Sequence, residues 1–272
     1  MKKSNYNIGF IGGGNMAGAI VGALGKKKTR LTVSDPDADK LKAFGNGCVT
    51  AADNAVAVAN SDVIFLCVKP QAAGAALQGL DFSGKTVVSI MAGVTIDKLA
   101  ALTGAQKIVR VMPNLNANLN LSFNAYCARG LTDEELASVA ELLTEFGTAA
   151  RVDEQKMDAV TGISGSGPAF VFKFFEGFLR ECERNNFALD SALDMCLSVI
   201  SGSAANISSK IGKACPDYKT AFGTIESAVN SVCSKGGTTI EGVKFLDENN
   251  FTATVSGAVK RAVDRAKELS AL

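Results

Sequence analysis

Ile8-Gly9-Phe10-Ile11-Gly12-Gly13-Gly14-Asn15-Met16-Ala17 decides the fold of this chain. A short apolar run is followed by a G-x-G-x-x-A string and then by an apolar segment, which reads as strand, tight turn and helix. Gly12 makes the turn, Gly14 lets backbone approach a pyrophosphate, and Ala17 lets the helix pack closely on the sheet. The helix N-terminus, with its free N–H groups, faces the negative charge. Asp35 stands 23 positions after Gly12, beside Ser34 at the end of the next apolar run. A carboxylate there accepts from a ribose 2′-hydroxyl and repels a 2′-phosphate. A nicotinamide dinucleotide is therefore expected, NADH or NADPH, with Asp35 favouring NADH. Lys26, Lys27, Lys28, Arg30 and Lys40 are close enough in sequence to compensate a phosphate, although Lys26 to Lys28 read as a solvated charge run.

Outward from this turn, Leu31 to Val33, Val63 to Val68, Val87 to Ile90 and Ile108 to Met112 are further short runs rich in Val and Ile, the composition of buried parallel strands. Ala38 to Phe44, Asn54 to Ala59 and Ile96 to Leu102 between them carry helical periodicity, so the first half reads as βαβ units in a right-handed parallel sheet. Thr132 and Glu135 form a capping box for a helix expected to run to Phe146 and stop at Gly147. After Val152 the strand signals give way to helical ones. The expected division is 1–154, a dinucleotide-binding Rossmann domain, and 155–272, a helical domain. Ser166-Gly167-Pro168 places a cap and a first-turn proline before a helix over Ala169 to Glu181, which holds Phe170, Phe172, Phe174, Phe175 and Phe178 on more than one face. A second domain of this size cannot surround such a helix alone, and a subunit interface is expected to cover it.

Composition removes whole classes of chemistry. The 272 residues include no histidine, so His-dependent nucleophile pairs, general acids and metal ligands are absent together. No metal is expected. With 28 Lys and Arg against 27 Asp and Glu there is no basic surplus to neutralise phosphates, which speaks against nucleic acid as a partner. Seven scattered cysteines without a C-x-x-C form neither a zinc pattern nor a disulfide framework, and fit a reducing cytoplasm. Met1-Lys2-Lys3 before the apolar stretch Ile8 to Leu24 has the outline of a signal peptide, yet glycine at 9, 12, 13, 14, 18 and 22 suits a strand and turn better than an apolar helix. No other run approaches a membrane span, and no membrane partner is expected.

The second unusual string is Ser234-Lys235-Gly236-Gly237-Thr238-Thr239-Ile240-Glu241-Gly242. Two glycines and two threonines at a helix start leave backbone N–H groups free to hold an anion, with Thr238 and Glu241 spaced as a capping box.

Taken in order, these strings resemble the pyrroline-5-carboxylate reductase family. The likeness runs through Gly12-Gly13-Gly14-Asn15-Met16, Val68-Lys69-Pro70-Gln71, Ala92-Gly93-Val94, Arg110-Val111-Met112-Pro113-Asn114, Gly165-Ser166-Gly167-Pro168-Ala169 and Gly236 to Thr239. The resemblance implies an α/β Rossmann-type domain followed by an all-α dimerisation domain, and NAD(P)H-dependent reduction of 1-pyrroline-5-carboxylate to L-proline in a homodimer or higher homo-oligomer. It implies cofactor contacts from the glycine turn, Ser34, Asp35, Asn54, Val68, Lys69, Pro70, Ala92 and Gly93. The substrate carboxylate would be held by Ser234, Gly236, Gly237 and the N–H groups of Thr238 and Thr239, with the Thr239 hydroxyl at the ring nitrogen as the catalytic group. The chain departs from the family at Lys235, where proline is usual, at Leu115-Asn116, and in a longer stretch from Pro216 to Ser234. Two other readings stay open: a Rossmann-plus-helical hydroxyacid dehydrogenase, whose lysine base is missing between Gly162 and Phe172, and a non-catalytic nucleotide-sensing relative, to which Lys235 and the longer stretch point.

Overall fold

The computed structural model describes residues 6–25, 30–212 and 215–271. The Lys26 to Lys28 run lies outside them. Asn7–Ile11 forms β1 and Asn15–Leu24 forms α1, followed by β2 (Arg30–Ser34), α2 (Ala38–Lys42), β3 (Val49–Ala51) and α3 (Asn54–Ala59). Next come β4 (Val63–Leu66), α4 (Ala73–Leu77), β5 (Thr86–Ser89), α5 (Ile96–Thr103) and β6 (Lys107–Met112). A 3-10 turn over Leu115–Leu119 leads to β7 (Ser122–Arg129), α6 (Asp133–Thr144), β8 (Gly147–Arg151) and the short α7 (Met157–Val160). The remainder is helical: a π turn over Thr161–Gly165, then α8 (Gly167–Arg184), α9 (Leu189–Ile211), α10 (Tyr218–Val232), α11 (Thr238–Glu248) and α12 (Phe251–Ala271).

The strands form one sheet in the order β3-β2-β1-β4-β5-β6-β7-β8. β1 pairs in parallel with both β2 and β4, so the winding reverses between β1 and β4, and a crevice for a ligand opens at their C-terminal ends. Alternation along the strands builds a core on each face. Ile8, Phe10, Val63 and Phe65 pack under Ile20 and Leu24 of α1 and Leu136 and Leu143 of α6, with the Phe10 and Phe65 rings stacked at 5.1 Å. Ile11, Ile64, Leu66, Val87 and Ile108 pack on the other face against Leu77, Leu99 and Met157. Each such side chain contributes roughly 1.5–3 kcal/mol on leaving water, and the sum holds the strand ends, where the site lies, in fixed register.

The sheet extends beyond the expected parallel strands. β7 runs antiparallel to β6, and β8 then pairs in parallel with β7. The Thr132–Glu135 capping box forms as expected, but α6 ends at Thr144, and Gly147 opens β8 instead of stopping the helix. Ser166 does not cap α8: its N–H and Oγ both donate back to the Thr161 carbonyl, because the π turn runs straight into the helix.

Contacts gather the chain into two compact units, 1–168 with 259–272, and 169–258. The expected division at 154/155 follows the change from strand to helix. By packing, α7, the π turn and the end of α12 belong with the sheet. The second unit has almost no core of its own: among its described residues the buried hydrophobics are Cys182, Ala192 and Cys196, backed by Phe175 and Leu179. Phe172, Phe174 and Phe178 of α8 are exposed, and on α10 Tyr218, Phe222, Ile225, Val229 and Val232 form one exposed apolar stripe. So much uncovered apolar surface requires another chain to cover it. Light scattering at micromolar concentration is expected to return at least twice the 28.2 kDa chain mass; a value equal to the chain mass would contradict this. Among the described residues, no helix is long and apolar enough to cross a membrane.

Candidate dinucleotide and substrate sites

In the first unit the glycine turn is held from behind. Gly12 has φ +102°, and a Cβ there would stand 2.8 Å from the Cys67 carbonyl carbon and oxygen, so only glycine fits between β1 and the chain leaving β4. Its N–H donates to the Ser34 carbonyl at 2.8 Å. Gly14 is the extended residue before α1, with no side-chain cap, and apart from the adjoining backbone no protein atom lies within 4 Å of where its Cβ would be. That empty volume, next to the unpaired N–H groups of the first turn of α1, has the shape and polarity a pyrophosphate needs. A cleft of about 520 Å³ opens there, lined by Gly13, Gly14, Asn15, Met16, Gly18, Ala19, Lys40, Ala43, Phe44, Leu115 and Asn118. A larger hollow of about 860 Å³, among Asn7, Arg30, Asp62 and Lys85, lies at the opposite ends of the strands and has neither glycine turn nor helix N-terminus.

Asp35 is buried and both of its oxygens are engaged. Oδ2 accepts from the Gly13 N–H at 2.9 Å, Oδ1 accepts from the Asp37 N–H at 2.9 Å, and the Lys40 ammonium sits 3.3 and 3.4 Å from the two. Burial alone would raise the carboxyl, but these donors outweigh it and hold Asp35 below the ordinary aspartate range. The residue is thus part of the glycine turn's own scaffold. Ser34 is buried too, its hydroxyl donating to the Phe10 carbonyl at 3.1 Å, so it supports the turn without facing the cleft.

Asn54 opens α3 and donates from Nδ2 to the Ala76 carbonyl at 2.9 Å, while its Oδ1 is buried with no hydrogen-bond partner. An orphaned acceptor of this kind costs about 1–3 kcal/mol unless something donates to it, and a bound ligand is one such donor. Val68, Lys69 and Pro70 follow β4, with Lys69 and Pro70 exposed and Pro70 opening a 3-10 turn. Ala92 and Gly93 follow β5, Gly93 buried at φ +75°. The open cradle at Gly14, the free first turn of α1 and the orphaned Asn54 oxygen together fit a dinucleotide. Leu115 and Asn118 were not foreseen in the cleft. They ride on the Leu115–Leu119 turn, which has no periodicity to read and is fixed by Asn114, whose Oδ1 accepts from the Asn116 N–H and whose Nδ2 donates to Ser164 Oγ.

In the second unit Ser234, Gly236, Gly237, Thr238 and Thr239 come together at the start of α11. Gly236 turns with φ +69°, the Gly237 N–H donates to the Ser234 carbonyl at 3.0 Å, and the Ser234 hydroxyl leans over Gly237, where a Cβ would stand 2.2 Å from it. The capping box expected of Thr238 and Glu241 does not form. Gly237 is the N-cap residue and contributes no side chain, Thr238 is already helical, and Glu241 pairs instead with Lys244 at 2.7 Å. The first-turn N–H groups of α11 are therefore left without a side-chain cap, which keeps them available to an anion. Thr238, Thr239 and Lys235 are exposed.

The fold and these two clusters define a Rossmann-type dinucleotide-binding protein with a helical second half. A family model described as pyrroline-5-carboxylate reductase dimerisation matches residues 154–269, and one described as NADP oxidoreductase coenzyme F420-dependent matches residues 7–93. The chain is 37% identical over 268 residues to the pyrroline-5-carboxylate reductase of Aquifex aeolicus, covering 96% of this chain and 97% of that one. It is 35% identical to the Escherichia coli pyrroline-5-carboxylate reductase, covering 97% and 98%. The structure of Plasmodium falciparum pyrroline carboxylate reductase with NADP bound superposes with a TM-score of 0.85 at 27% identity, covering 98% of each chain. The chain belongs to the pyrroline-5-carboxylate reductase family.

Proposed function

We propose that this protein reduces the cyclic imine 1-pyrroline-5-carboxylate to L-proline, the last step of proline synthesis, as a cytoplasmic homodimer whose Rossmann half, 1–154, holds the dinucleotide and whose helical half, 155–272, holds the substrate. The observation that carries this reading is family membership over nearly the whole chain, with the Gly236 to Thr239 string intact at a helix start. Reduced nicotinamide, when bound, supplies the hydride. The protein supplies position, which by itself lowers such barriers by roughly 7–11 kcal/mol. Gly12, Gly13, Gly14, Asn15 and Met16 hold the pyrophosphate over the α1 N-terminus, and Asn54, Val68, Lys69, Pro70, Ala92 and Gly93 line the rest of the dinucleotide. Ser234 and the N–H groups of Thr238 and Thr239 hold the substrate carboxylate, and the Thr239 hydroxyl hydrogen-bonds the ring nitrogen. The nitrogen takes its proton on the substrate or from water, since threonine is too weak an acid and the chain has no histidine. Following nicotinamide absorbance with the imine present tests the reading, and absence of turnover would defeat it.

NADH is expected to turn over faster than NADPH at equal concentration. The buried Asp35 carboxylate beside the turn repels a 2′-phosphate, and Lys40, already bound to that carboxylate, offsets only part of the repulsion. Asp35→Ser should narrow the gap. A wild-type preference for NADPH of about tenfold, or about 1.4 kcal/mol, would show that Lys40 or another cation governs the site instead.

A further inference from the structure

The loop between β5 and α5, residues 90–95, packs against a distant part of the chain. Gly93 is buried at φ +75°, and a Cβ on it would stand 3.2 Å from the carbonyl carbon and oxygen of Leu269, in the last turn of α12. Two side chains fasten that last turn. Lys98 on α5 donates from Nζ to the Ser270 carbonyl at 2.9 Å, satisfying an acceptor that the helix end leaves free, and Ser270 Oγ donates to Asp158 Oδ1 at 2.6 Å. Asp158 and Glu154 share the buried Arg110 guanidinium, each at 3.4 Å, and Glu154 Oε1 accepts from the Ile96 N–H at 2.7 Å, where α5 begins. The contacts close a ring: Ile96 to Glu154, Arg110 and Asp158, then to Ser270 and back through Lys98 to α5. The 90–95 loop leads directly into Ile96, and its Gly93 lies against the Leu269 carbonyl beside Ser270.

We infer that the C-terminal turn of α12 is a brace that holds the loop after β5 in the conformation the nicotinamide half of the dinucleotide requires, with Ser270 as a positioning residue. The inference rests on the proposed role of Ala92 and Gly93. In a doubly wound sheet the dinucleotide lies across the strand ends, its two halves on opposite sides of the switch point, and the loops after β4 and β5 lie on the side away from the Asp35 turn. The start of the loop is anchored, the Ile90 N–H donating to the Leu66 carbonyl and the Met91 N–H to Ser89 Oγ, and the backbone then turns left-handed at Gly93. The Leu269 carbonyl provides the wall it rests on.

The test compares two ligands by calorimetry on the intact oligomer: NADH, which needs both halves of the site, and ADP-ribose, which lacks nicotinamide. Ending the chain after Glu268 should weaken NADH binding by about tenfold and leave ADP-ribose affinity within about twofold. Ser270→Ala, which removes one tether, should weaken NADH by about three- to tenfold, the size of one hydrogen bond's net contribution, and Ser270→Thr should restore it. NADH affinity unchanged in Ser270→Ala, or equal losses for NADH and ADP-ribose, would overturn the brace. If the shortened chain does not fold, the Ser270 pair decides alone. Because the readout is binding, these outcomes stay separate from the question of imine turnover, which wild type answers by itself.

Discussion

Gly14→Val is expected to weaken NADH binding by about 100-fold or more, a loss of about 2.7 kcal/mol, while leaving the fold intact. Apart from the adjoining backbone, nothing lies within 4 Å of the position a Cβ would take at Gly14, and the backbone there is extended, so the protein has room for a side chain to start there. It does occupy the space where the pyrophosphate must approach the backbone. The fold pays only for a poorer residue before the helix, about 1 kcal/mol, which lowers the melting temperature by roughly 2–4 °C. The same branch at Gly12 is a different experiment, because a Cβ 2.8 Å from the Cys67 carbonyl with φ at +102° would damage the β1–β4 junction itself. Calorimetric titration with NADH alongside thermal unfolding separates the two effects. Wild-type affinity in Gly14→Val would mean that the cleft over α1 holds no pyrophosphate.

Thr239→Val is expected to slow imine reduction by about ten- to a hundredfold and to leave dinucleotide affinity unchanged. Thr239 is the second residue of α11, exposed, and belongs to the second compact unit, while the glycine turn belongs to the first. Valine keeps the branched shape and the helix start and removes only the hydroxyl. The magnitude is that of one hydrogen bond to a charged partner, roughly 1.5–3 kcal/mol, read as a loss of transition-state stabilisation. Thr239→Ser should keep most of the rate. Stopped-flow measurement under single-turnover conditions resolves the hydride step, and a Thr239→Val rate equal to wild type would reduce Thr239 to a helix-start residue.

The strands of the first half were legible because β1, β2, β4, β5 and β6 are buried on both faces and consist largely of Val, Ile, Leu and Phe. β7 was not, for a physical reason. Its Ser122 and Asn124 are buried and bonded to distant segments: Ser122 Oγ accepts from the Asn114 N–H, and Asn124 Nδ2 donates to the Leu143 carbonyl, while Asn124 Oδ1 is left without a partner. Polar residues paired by distant segments look like loop in a one-dimensional reading. β3 is an exposed edge strand of only three residues, too short to show alternation, and β8 begins Gly-Thr-Ala-Ala, which lacks the branched and aromatic content that marks a strand.

At the site, the glycine turn was readable because its chemistry is local, set by φ at Gly12 and empty space at Gly14. The double duty of Asp35 was not. Its burial beneath the Gly13 N–H and its ion pair with Lys40 depend on how the β2 end folds back on the turn. The spacing of Thr238 and Glu241 allows a capping box, yet Gly237 takes the cap position, so the pattern misread the local hydrogen bonding while placing the helix start correctly. The clasp of Ser270 on Asp158 and Lys98 joins positions 112 and 172 residues apart, beyond any motif.

The most direct measurement follows the transferred atom. Purified protein is incubated with 1-pyrroline-5-carboxylate and NADH carrying deuterium at both C4 positions, and the product is read by mass spectrometry and NMR. The account predicts L-proline with one deuterium on the ring carbon that adjoins nitrogen and does not bear the carboxylate. Unlabelled proline, or bound NADH with no proline formed, would contradict it.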